Sequence, residues 1–205
     1  MISIIVVNYN TTQSTITLIK SIGEYTKSQL ELIVVDNGSQ PNESETISNS
    51  NDDLIIVRSE ENLGFSGGNN LGIKIAKGSH LLFLNSDTTL PDRNLPYTLR
   101  DSLTKNPKAG MISPLIYFEG SENKLQYAGT TKGKGYTGRF KTSKKLPENK
   151  GTIVTDLPHG AAMMVKRTVI DSVGLMPEIY FLYYEEIEWA TRIRKKGYSV
   201  LLDTS

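Results

Sequence analysis

The chain has 205 residues and a formal net charge of +1, and it contains no cysteine. This length suits one domain with a sizeable core, and the balanced charge gives no sign of a nucleic-acid partner. The absence of cysteine excludes disulfides, thiolate metal sites and a thiol nucleophile. The apolar start at residues 2–7 is too short for a signal peptide and lacks its basic region. We therefore expect a cytoplasmic protein.

Apolar runs and helical repeats alternate along the first half of the chain. Short apolar runs predict strands at residues 2–7, 30–35, 54–57 and 81–84. Apolar residues at helical spacing predict helices at residues 12–25, 64–77 and around 95–103. Strands that alternate with helices imply βαβ units and a mostly parallel sheet.

The second half contains a long polar stretch before regular structure resumes. Residues 119–150 are rich in Gly, Lys, Thr and Ser, and they are too many for an ordinary connection. We interpret them as a mobile surface excursion or irregular hairpin, with a loop that covers the substrate as the alternative. Apolar residues then predict a strand at 161–165 and a short helix that ends near Gly174. A helix at 184–196 and a strand at 198–202 complete the pattern.

Polar clusters stand at the ends of three of the first four predicted strands. They are Asn8-Tyr9-Asn10, Asp36-Asn37-Gly38-Ser39 and Asn85-Ser86-Asp87. In a parallel sheet these ends share one rim, where open α/β sheets bind their ligands. Asp36 could accept hydrogen bonds from a base N–H or a ribose hydroxyl, and Tyr9 offers a ring on which a base can stack. The rim therefore predicts a nucleotide site.

Asp87 follows the most apolar of these strands. Aspartate is a hard oxygen ligand, suited to a divalent cation that itself holds phosphates. The alternative is that Asp87 only caps a turn before Pro91. The glycine-rich residues 64–70 would let the backbone approach a ligand closely, although a plain tight turn explains them equally well. They match neither the dinucleotide fingerprint nor the P-loop.

An acidic cluster opens the predicted helix 184–196. Acidic residues in a first turn satisfy the helix dipole, but aromatic neighbours can also raise a carboxylate pKa and poise the group as a base. Glu188 and Arg192 are four residues apart in the order that favours an ion pair. Glu185 and Glu186 project about 100° apart around the helix, so we do not expect both to face one acceptor. Glu186 shares an apolar face with Trp189, and we predict that it is the base.

Taken together, these stretches resemble the inverting family 2 glycosyltransferases, and within them the bacterial rhamnosyltransferase-like enzymes of cell-surface polysaccharide assembly. The matching segments follow the family's order along nearly the whole chain, at residues 6–10, 34–39, 61–70, 84–87, 160–162 and 181–189. The resemblance implies the α/β GT-A fold, with a mostly parallel central sheet flanked by helices. A single domain would combine a Rossmann-like nucleotide-binding half at about 1–110 with an acceptor-side half at about 111–205.

The resemblance also implies roles for particular residues. Glu186 takes the place of the family's catalytic aspartate and Glu185 that of its neighbouring glutamate. Asp87 would bind Mn²⁺ or Mg²⁺, although Asn85 replaces the first aspartate of the Asp-x-Asp-like motif. The acceptor side would include His159 and Gly160. The residues expected at the nucleotide are Val7, Asn8, Tyr9, Asn10, Asp36, Gly67, Asn70, Asn85 and Ser86.

The implied activity is inverting transfer of a sugar from a nucleoside-diphosphate sugar, dTDP-rhamnose or a UDP-hexose. The acceptor would be a hydroxyl of a cell-surface glycan or a lipid-linked molecule. Such an acceptor would allow peripheral contact of the protein with the inner face of the membrane. The alternatives are a non-catalytic sugar-nucleotide-binding module and a nucleotidyltransferase. Family members usually continue past the last predicted strand, so we expect a truncated chain or a minimal catalytic domain.

Overall fold

The computed structural model describes residues 1–26, 28–120, 124–133 and 139–205. The strands are β1 Ile2–Asn8, β2 Leu30–Asn37, β3 Leu54–Ser59, β4 His80–Asn85, β5 Ala109–Pro114, β6 Ile116–Tyr117, β7 Leu125–Tyr127, β8 Thr130–Lys132, β9 Phe140–Thr142, β10 Thr152–Thr155, β11 Ala162–Lys166 and β12 Ser199–Asp203. The helices are α1 Thr12–Ile22, α2 Ser44–Ser48, α3 Gly64–Ile75, α4 Leu95–Lys105, α5 Arg167–Val173 and α6 Glu185–Lys195.

Eight strands form one sheet in the order β10-β12-β5-β11-β4-β1-β2-β3. The pairs β1–β2, β1–β4, β2–β3 and β5–β12 are parallel. Strand β11 lies antiparallel between β4 and β5, and β10 is antiparallel to β12 at the edge. The mostly parallel sheet flanked by helices is therefore confirmed. Among the described residues, none of the helices combines the length and apolar character that crossing a membrane requires.

Helices cover both faces of this sheet, and a separate apolar core lies on each face. One core receives Leu18 and Ile19 of α1 with Leu99 and Leu103 of α4. The other receives side chains from α3, α5 and α6, with Trp189 packed edge-on against a β4 phenylalanine. Because both faces are covered, β1, β2 and β4 contain continuous apolar runs, at residues 4–7, 32–35 and 81–84, rather than an alternating pattern. This is why their sequences predict strands so clearly.

Strand β5 is a central strand that the sequence pattern does not predict. It is fully buried between β11 and β12, yet its apolar run is interrupted by Gly110 and ends in Pro114. Its partners in the sheet, β11 and β12, lie more than 40 residues further along the chain, while the preceding helix α4 packs on one of its faces. The local pattern of apolar residues cannot predict pairing with strands so far away in the sequence.

The polar stretch 119–150 is better anchored than its composition indicates. Leu125 and Tyr127 of β7 are buried, and the Tyr127 hydroxyl donates to the Leu157 carbonyl oxygen at 2.6 Å. Strands β8 and β9 pair as a hairpin, with Thr130 opposite Thr142. The interpretation as an irregular hairpin is thus correct for β8 and β9, while β7 adds buried apolar contacts that the polar composition does not indicate. Residues 121–123 and 134–138 of this stretch lie outside the described residues.

Candidate active site

The carboxyl ends of the parallel strands meet at one rim, as the sequence predicts. In the strand register Asn8 lies beside Asp36, and Val7 lies beside Asn85. The polar clusters that follow β1, β2 and β4 are therefore neighbours in space. This rim is where open α/β sheets bind ligands.

Asp36 is fully buried at this rim and engaged on both carboxylate oxygens. The backbone N–H of Ser39 donates to Oδ1 at 3.2 Å, and the Ser44 hydroxyl donates to Oδ2 at 3.0 Å. The guanidinium of Arg58 forms an ion pair with Oδ2. Burial alone would raise the pKa of Asp36, but the hydrogen bonds from Ser39, Ser44 and Arg58 outweigh it and lower the pKa. Asp36 is a buried, charged anchor of the rim.

The side chain of Asn8 holds the rim together rather than facing a ligand. Its Nδ2 donates to the Ser39 hydroxyl at 3.1 Å and to Glu43 Oε2 at 2.8 Å. Its Oδ1 accepts from the hydroxyls of Thr11 and Thr15 at 3.1 and 2.7 Å. Since both amide hydrogens and the oxygen have protein partners, the expected nucleotide contact by this side chain is corrected to a structural role.

Tyr9, Asn10 and Ser86 lie at the solvent side of the rim. Tyr9 is 45% exposed, so its ring is accessible for stacking. Asn10 adopts a φ of 54°, and its Oδ1 accepts from the Gln40 backbone N–H at 2.9 Å. The Ser86 hydroxyl accepts from the Thr11 hydroxyl at 3.0 Å, which ties the β1 and β4 loops together.

The glycines at the start of α3 serve close packing. Gly64 has a φ of 71°, and a side-chain carbon added there would lie 2.3 Å from the Phe181 carbonyl oxygen. One added at Gly68 would lie 2.8 Å from Cγ1 of Val7. Gly67 is buried in the same turn. Of the residues expected at the nucleotide, Val7 thus packs against Gly68 of α3, and a side-chain carbon added at Gly67 would lie 2.5 Å from Cβ of Leu63.

Asn70 is also buried and makes no contribution to the rim. Its Oδ1 accepts from the Met176 backbone N–H at 3.1 Å, and its Nδ2 donates to the Met176 carbonyl at 3.0 Å and to Glu178 Oε1 at 2.8 Å. The side chain therefore has no hydrogen left to donate to a nucleotide. The expectation of a nucleotide contact is corrected: Asn70 binds another segment of the chain.

A cavity of about 500 Å³ opens beside the rim. It gathers five of the residues predicted from the sequence, namely Asn85, His159, Gly160, Glu185 and Glu186. Its other lining residues are Phe65, Gln126, Tyr127, Thr130, Phe140, Thr142, Leu157, Pro158, Ala161, Leu182, Tyr183 and Ile187. Gln126, Phe140 and Thr142 belong to the polar stretch 119–150, for which a loop that covers the substrate is the alternative interpretation. That stretch thus contributes to a wall of the cavity.

Helix α6 brings both acidic residues of its first turn to this cavity. Glu185 is only 4% exposed, and its Oε2 has no hydrogen-bond partner within the described residues. Glu186 is half-buried. Burial raises the pKa of Glu186, and the charge of Glu185 raises it further, although a hydrogen bond from the Glu186 backbone N–H opposes them. Both residues line the cavity, and the expectation that they do not both face one acceptor stays a prediction.

The remaining charged pair of α6 lies apart from the chemistry. Arg192 Nε donates to Glu188 Oε2 at 2.8 Å, which confirms the predicted ion pair. Arg192 also donates to the carbonyl oxygens of Val173 and Leu175. The pair holds α6 to the end of α5.

His159 presents a neutral imidazole to the cavity. Its Nδ1 accepts from the Ala161 backbone N–H at 3.1 Å, so the ring proton of the neutral form lies on Nε2. Burial lowers the pKa of His159, which favours this neutral form. The ring packs 5.2 Å from the Tyr127 ring. Nε2 has no partner among the described residues and can donate to a ligand.

Asp87 is exposed two residues beyond the end of β4 and is not among the residues that line the cavity. Among the described residues, no group of three or more His, Asp or Glu side chains could enclose a metal ion. Mg²⁺ sites commonly use one or two carboxylates together with substrate phosphates, rather than a cage of protein ligands. A single exposed carboxylate on the loop that carries Ser86 fits such a shared site.

The mostly parallel sheet flanked by helices has the GT-A fold, which several solved glycosyltransferase structures share. TarS of S. aureus aligns over 100% of this chain with a TM-score of 0.71 and 16% identity. GalNAc-T7, solved with UDP, GalNAc and Mn²⁺, aligns over 100% with a TM-score of 0.76 and 19% identity. A mannosyltransferase from Pyrobaculum calidifontis, in complex with GDP-Man and Mn²⁺, aligns over 99% with a TM-score of 0.65.

The family itself follows from the sequence. The model described as Glycosyl transferase family 2 matches residues 3–174, so the chain belongs to this family. It is 29% identical over 212 residues to the low-salt glycan biosynthesis hexosyltransferase Agl10 of Haloferax volcanii. It is 26% identical over 172 residues to poly-beta-1,6-N-acetyl-D-glucosamine synthase of Staphylococcus aureus.

These relatives are longer than the present chain. The alignments cover 97% and 83% of this chain, but only 63% of the Haloferax protein and 40% of the Staphylococcus protein. The aligned part likewise spans 58% of the TarS chain and 42% of the GalNAc-T7 chain. The similarity thus covers 83–100% of this chain and only part of each relative.

Proposed function

We propose that this chain is an inverting glycosyltransferase that moves a sugar from a nucleoside-diphosphate sugar to a hydroxyl of a glycan or lipid-linked acceptor. The observation that carries the proposal is the half-buried Glu186, whose raised pKa suits a general base and which lines a cavity beside the sheet rim. Family membership supports the reaction class.

The rim supports a nucleotide as the group that carries the sugar. Tyr9 offers an exposed ring for the base, and the Asp36–Arg58 pair lies in the adjacent strands. TarS has been solved with UDP-GlcNAc, and the Pyrobaculum enzyme with GDP-Man. The N-acetyl-D-glucosamine in the name of the Staphylococcus relative, together with the UDP-GlcNAc bound to TarS, favours a UDP-sugar over dTDP-rhamnose as the donor.

A divalent cation is part of the proposal because two structural neighbours were solved with Mn²⁺. Asp87 would hold the ion together with oxygens of the donor diphosphate. When bound, the ion would offset negative charge on the diphosphate. Asn85 lines the cavity on the same strand end and can donate a hydrogen bond from its amide, which the aspartate of the usual motif cannot.

The chemistry proposed for the chain's own residues is a single displacement. The oxygen of the acceptor hydroxyl attacks the anomeric carbon of the donor sugar, and the Glu186 carboxylate accepts the proton of that hydroxyl. The bond from that carbon to the diphosphate breaks, and the nucleoside diphosphate leaves with the electron pair. A well-placed base contributes about a hundred- to ten-thousand-fold to such a rate. His159 Nε2–H and Gln126 remain to orient hydroxyl groups in the cavity.

A turnover assay with a panel of donors tests the proposal against its alternatives. UDP-hexoses, GDP-mannose and dTDP-rhamnose would be incubated with Mn²⁺ and glycan or lipid-linked acceptors, and the nucleotide products identified. Release of a nucleoside diphosphate together with a new glycoside supports glycosyl transfer. Release of pyrophosphate would indicate nucleotidyl transfer. A thermal shift with a sugar nucleotide but no turnover would indicate a binding module.

A further inference from the structure

An exposed aromatic segment, residues 179–184, leads directly into the acidic pair of α6. Ile179 is 87% exposed, Phe181 60% and Tyr183 71%. Tyr183 and Tyr184 both have a positive φ, at 70° and 74°. Such conformations cost on the order of 1–3 kcal/mol for each residue and persist only where the surroundings impose them. Because most side chains of this segment are exposed, their burial contributes little to holding its conformation. Contacts with other parts of the chain must therefore hold it.

Helix α3, which packs on β1, supplies those contacts. Asn70 is 1% exposed and forms three hydrogen bonds, two with the Met176 backbone and one with Glu178 Oε1, at 2.8–3.1 Å. One helical turn earlier, the Phe65 backbone N–H donates to the Phe181 carbonyl oxygen at 3.0 Å. Helix α3 thus holds residues 176–181 at two points.

Residues 173–175, which precede this segment in the chain, are held by hydrogen bonds from helix α6. Trp189 Nε1 donates to the Gly174 carbonyl at 3.0 Å, and Arg192 donates to the carbonyls of Val173 and Leu175. These bonds are internal to the α5–α6 pair and fix only residues 173–175. Within residues 176–184, the side-chain hydrogen bonds to the rest of the described chain come from Asn70.

We infer that Asn70 is a positioning residue, which holds the aromatic segment and thereby sets where Glu185 and Glu186 stand in the cavity. The inference rests on the proposed function. Asn70 touches neither rim nor cavity, so it acts through residues 176–184. Because α3 also packs on β1 over Val7, the same helix links the acidic pair to the strand that bears the nucleotide rim.

The test compares Asn70→Ala with Asn69→Ala in the full chain. Asn69 is equally buried, but its Nδ2 donates to the Phe65 carbonyl within its own helix, at 2.9 Å. Both variants remove a buried amide, but Asn70→Ala breaks three hydrogen bonds and Asn69→Ala breaks one, so the melting temperature of each variant is measured alongside kcat. We expect Asn70→Ala to lower kcat for transfer about 10- to 100-fold with the donor KM changed less than about threefold, since small misplacements of a reacting group are costly. Asn69→Ala should retain kcat.

A rescue pair separates positioning from loss of fold. Asn70→Asp places a carboxylate against that of Glu178 and should lower kcat. Adding Glu178→Gln restores a donor and acceptor pair and should recover part of the lost kcat. Circular dichroism and the melting temperature check that each variant is folded. Failure of the double variant to exceed Asn70→Asp would overturn the inference.

Amide hydrogen exchange provides a readout that does not need activity. In Asn70→Ala, exchange across residues 176–184 should quicken, while strand β4 keeps its protection. Unchanged exchange in that segment would overturn the inference, as would quicker exchange with an unchanged kcat. If the parent chain transfers no sugar, the proposed function fails, and exchange alone still decides whether Asn70 holds the segment.

Discussion

Glu185 and Glu186 line the same cavity although they are consecutive residues of one helix turn. Glu185 is almost completely buried, with one carboxylate oxygen unpaired among the described residues, whereas Glu186 is half-buried. The charge of Glu185 makes ionisation of Glu186 less favourable, in addition to the effect of burial. The pair thus supplies both a raised pKa at Glu186 and a vacant acceptor oxygen at Glu185.

The raised pKa of Glu186 predicts the acid limb of the pH profile. A base must be deprotonated, so kcat/KM should rise as pH increases through a pKa above the ordinary glutamate value. Glu185→Gln removes the neighbouring charge and should move this limb to lower pH, while burial keeps it above the ordinary value. Steady-state rates across the acidic range check the shift. A limb that stays in place in Glu185→Gln would refute this coupling.

The same carboxyl has a consequence for folding. The folded state binds the Glu186 proton more tightly than the unfolded chain, so its contribution to stability is present at low pH and declines as pH rises through the raised pKa. Glu186→Gln should therefore flatten that decline in urea unfolding measured at successive pH values.

The buried Asp36–Arg58 pair predicts a large loss of stability from one substitution. Arg58→Ala leaves the Asp36 carboxylate buried without its cation, which costs about 3 kcal/mol of unfolding free energy in comparable sites. Arg100→Ala, which breaks the exposed pair with Asp101, should cost less than about 1 kcal/mol. Urea denaturation of both variants measures the difference. Equal losses would show that the buried pair contributes no more than the surface pair.

The lowered pKa of Asp36 gives this stability a pH dependence. Its contribution is present above the ordinary aspartate pKa and is lost as pH falls through the lowered, folded-state pKa. Arg58→Ala removes one of the hydrogen bonds that lower the pKa, so acid unfolding should begin at higher pH than in the parent.

Asp87 should determine metal-dependent nucleotide affinity. Asp87→Ala is expected to weaken binding of the preferred nucleoside diphosphate at least about tenfold in the presence of Mn²⁺, because the ion loses its protein ligand. Asp171→Ala, an exposed carboxylate on α5, is the matched control. Calorimetric titration with and without Mn²⁺ measures both. Unchanged affinity and unchanged metal dependence in Asp87→Ala would exclude this role.

The sequence predicts the strands whose burial is complete along their length. Strand β2 is buried at all eight positions, and its apolar run makes it visible without any partner. Strand β5 is equally buried, but its environment comes from distant strands. The order of β11 and β5 in the sheet is likewise a property of the whole fold, because no local pattern encodes which strand enters between two others.

Residue types at the rim are predictable, whereas their partners are not. Polar side chains after β1, β2 and β4 do converge, but the pattern does not distinguish a ligand contact from an internal hydrogen bond. Asn8 and Asn70 prove to be internal, each with a full set of protein partners. Glu186 differs because burial and a like charge, rather than hydrogen bonds, dominate its environment.

The most direct test of the account compares Glu186→Gln with Glu185→Gln and Glu188→Gln in the transfer assay. Glu186→Gln keeps the shape of the side chain but cannot accept the acceptor's proton. We expect it to lose about a hundredfold or more in kcat while it binds the sugar nucleotide as tightly as the parent. Glu188→Gln, whose partner is Arg192, should retain kcat, and Glu185→Gln should retain more than Glu186→Gln. Transfer by Glu186→Gln at the parental rate, or a reversed order of the two neighbouring variants, would contradict the assignment of Glu186 as the base.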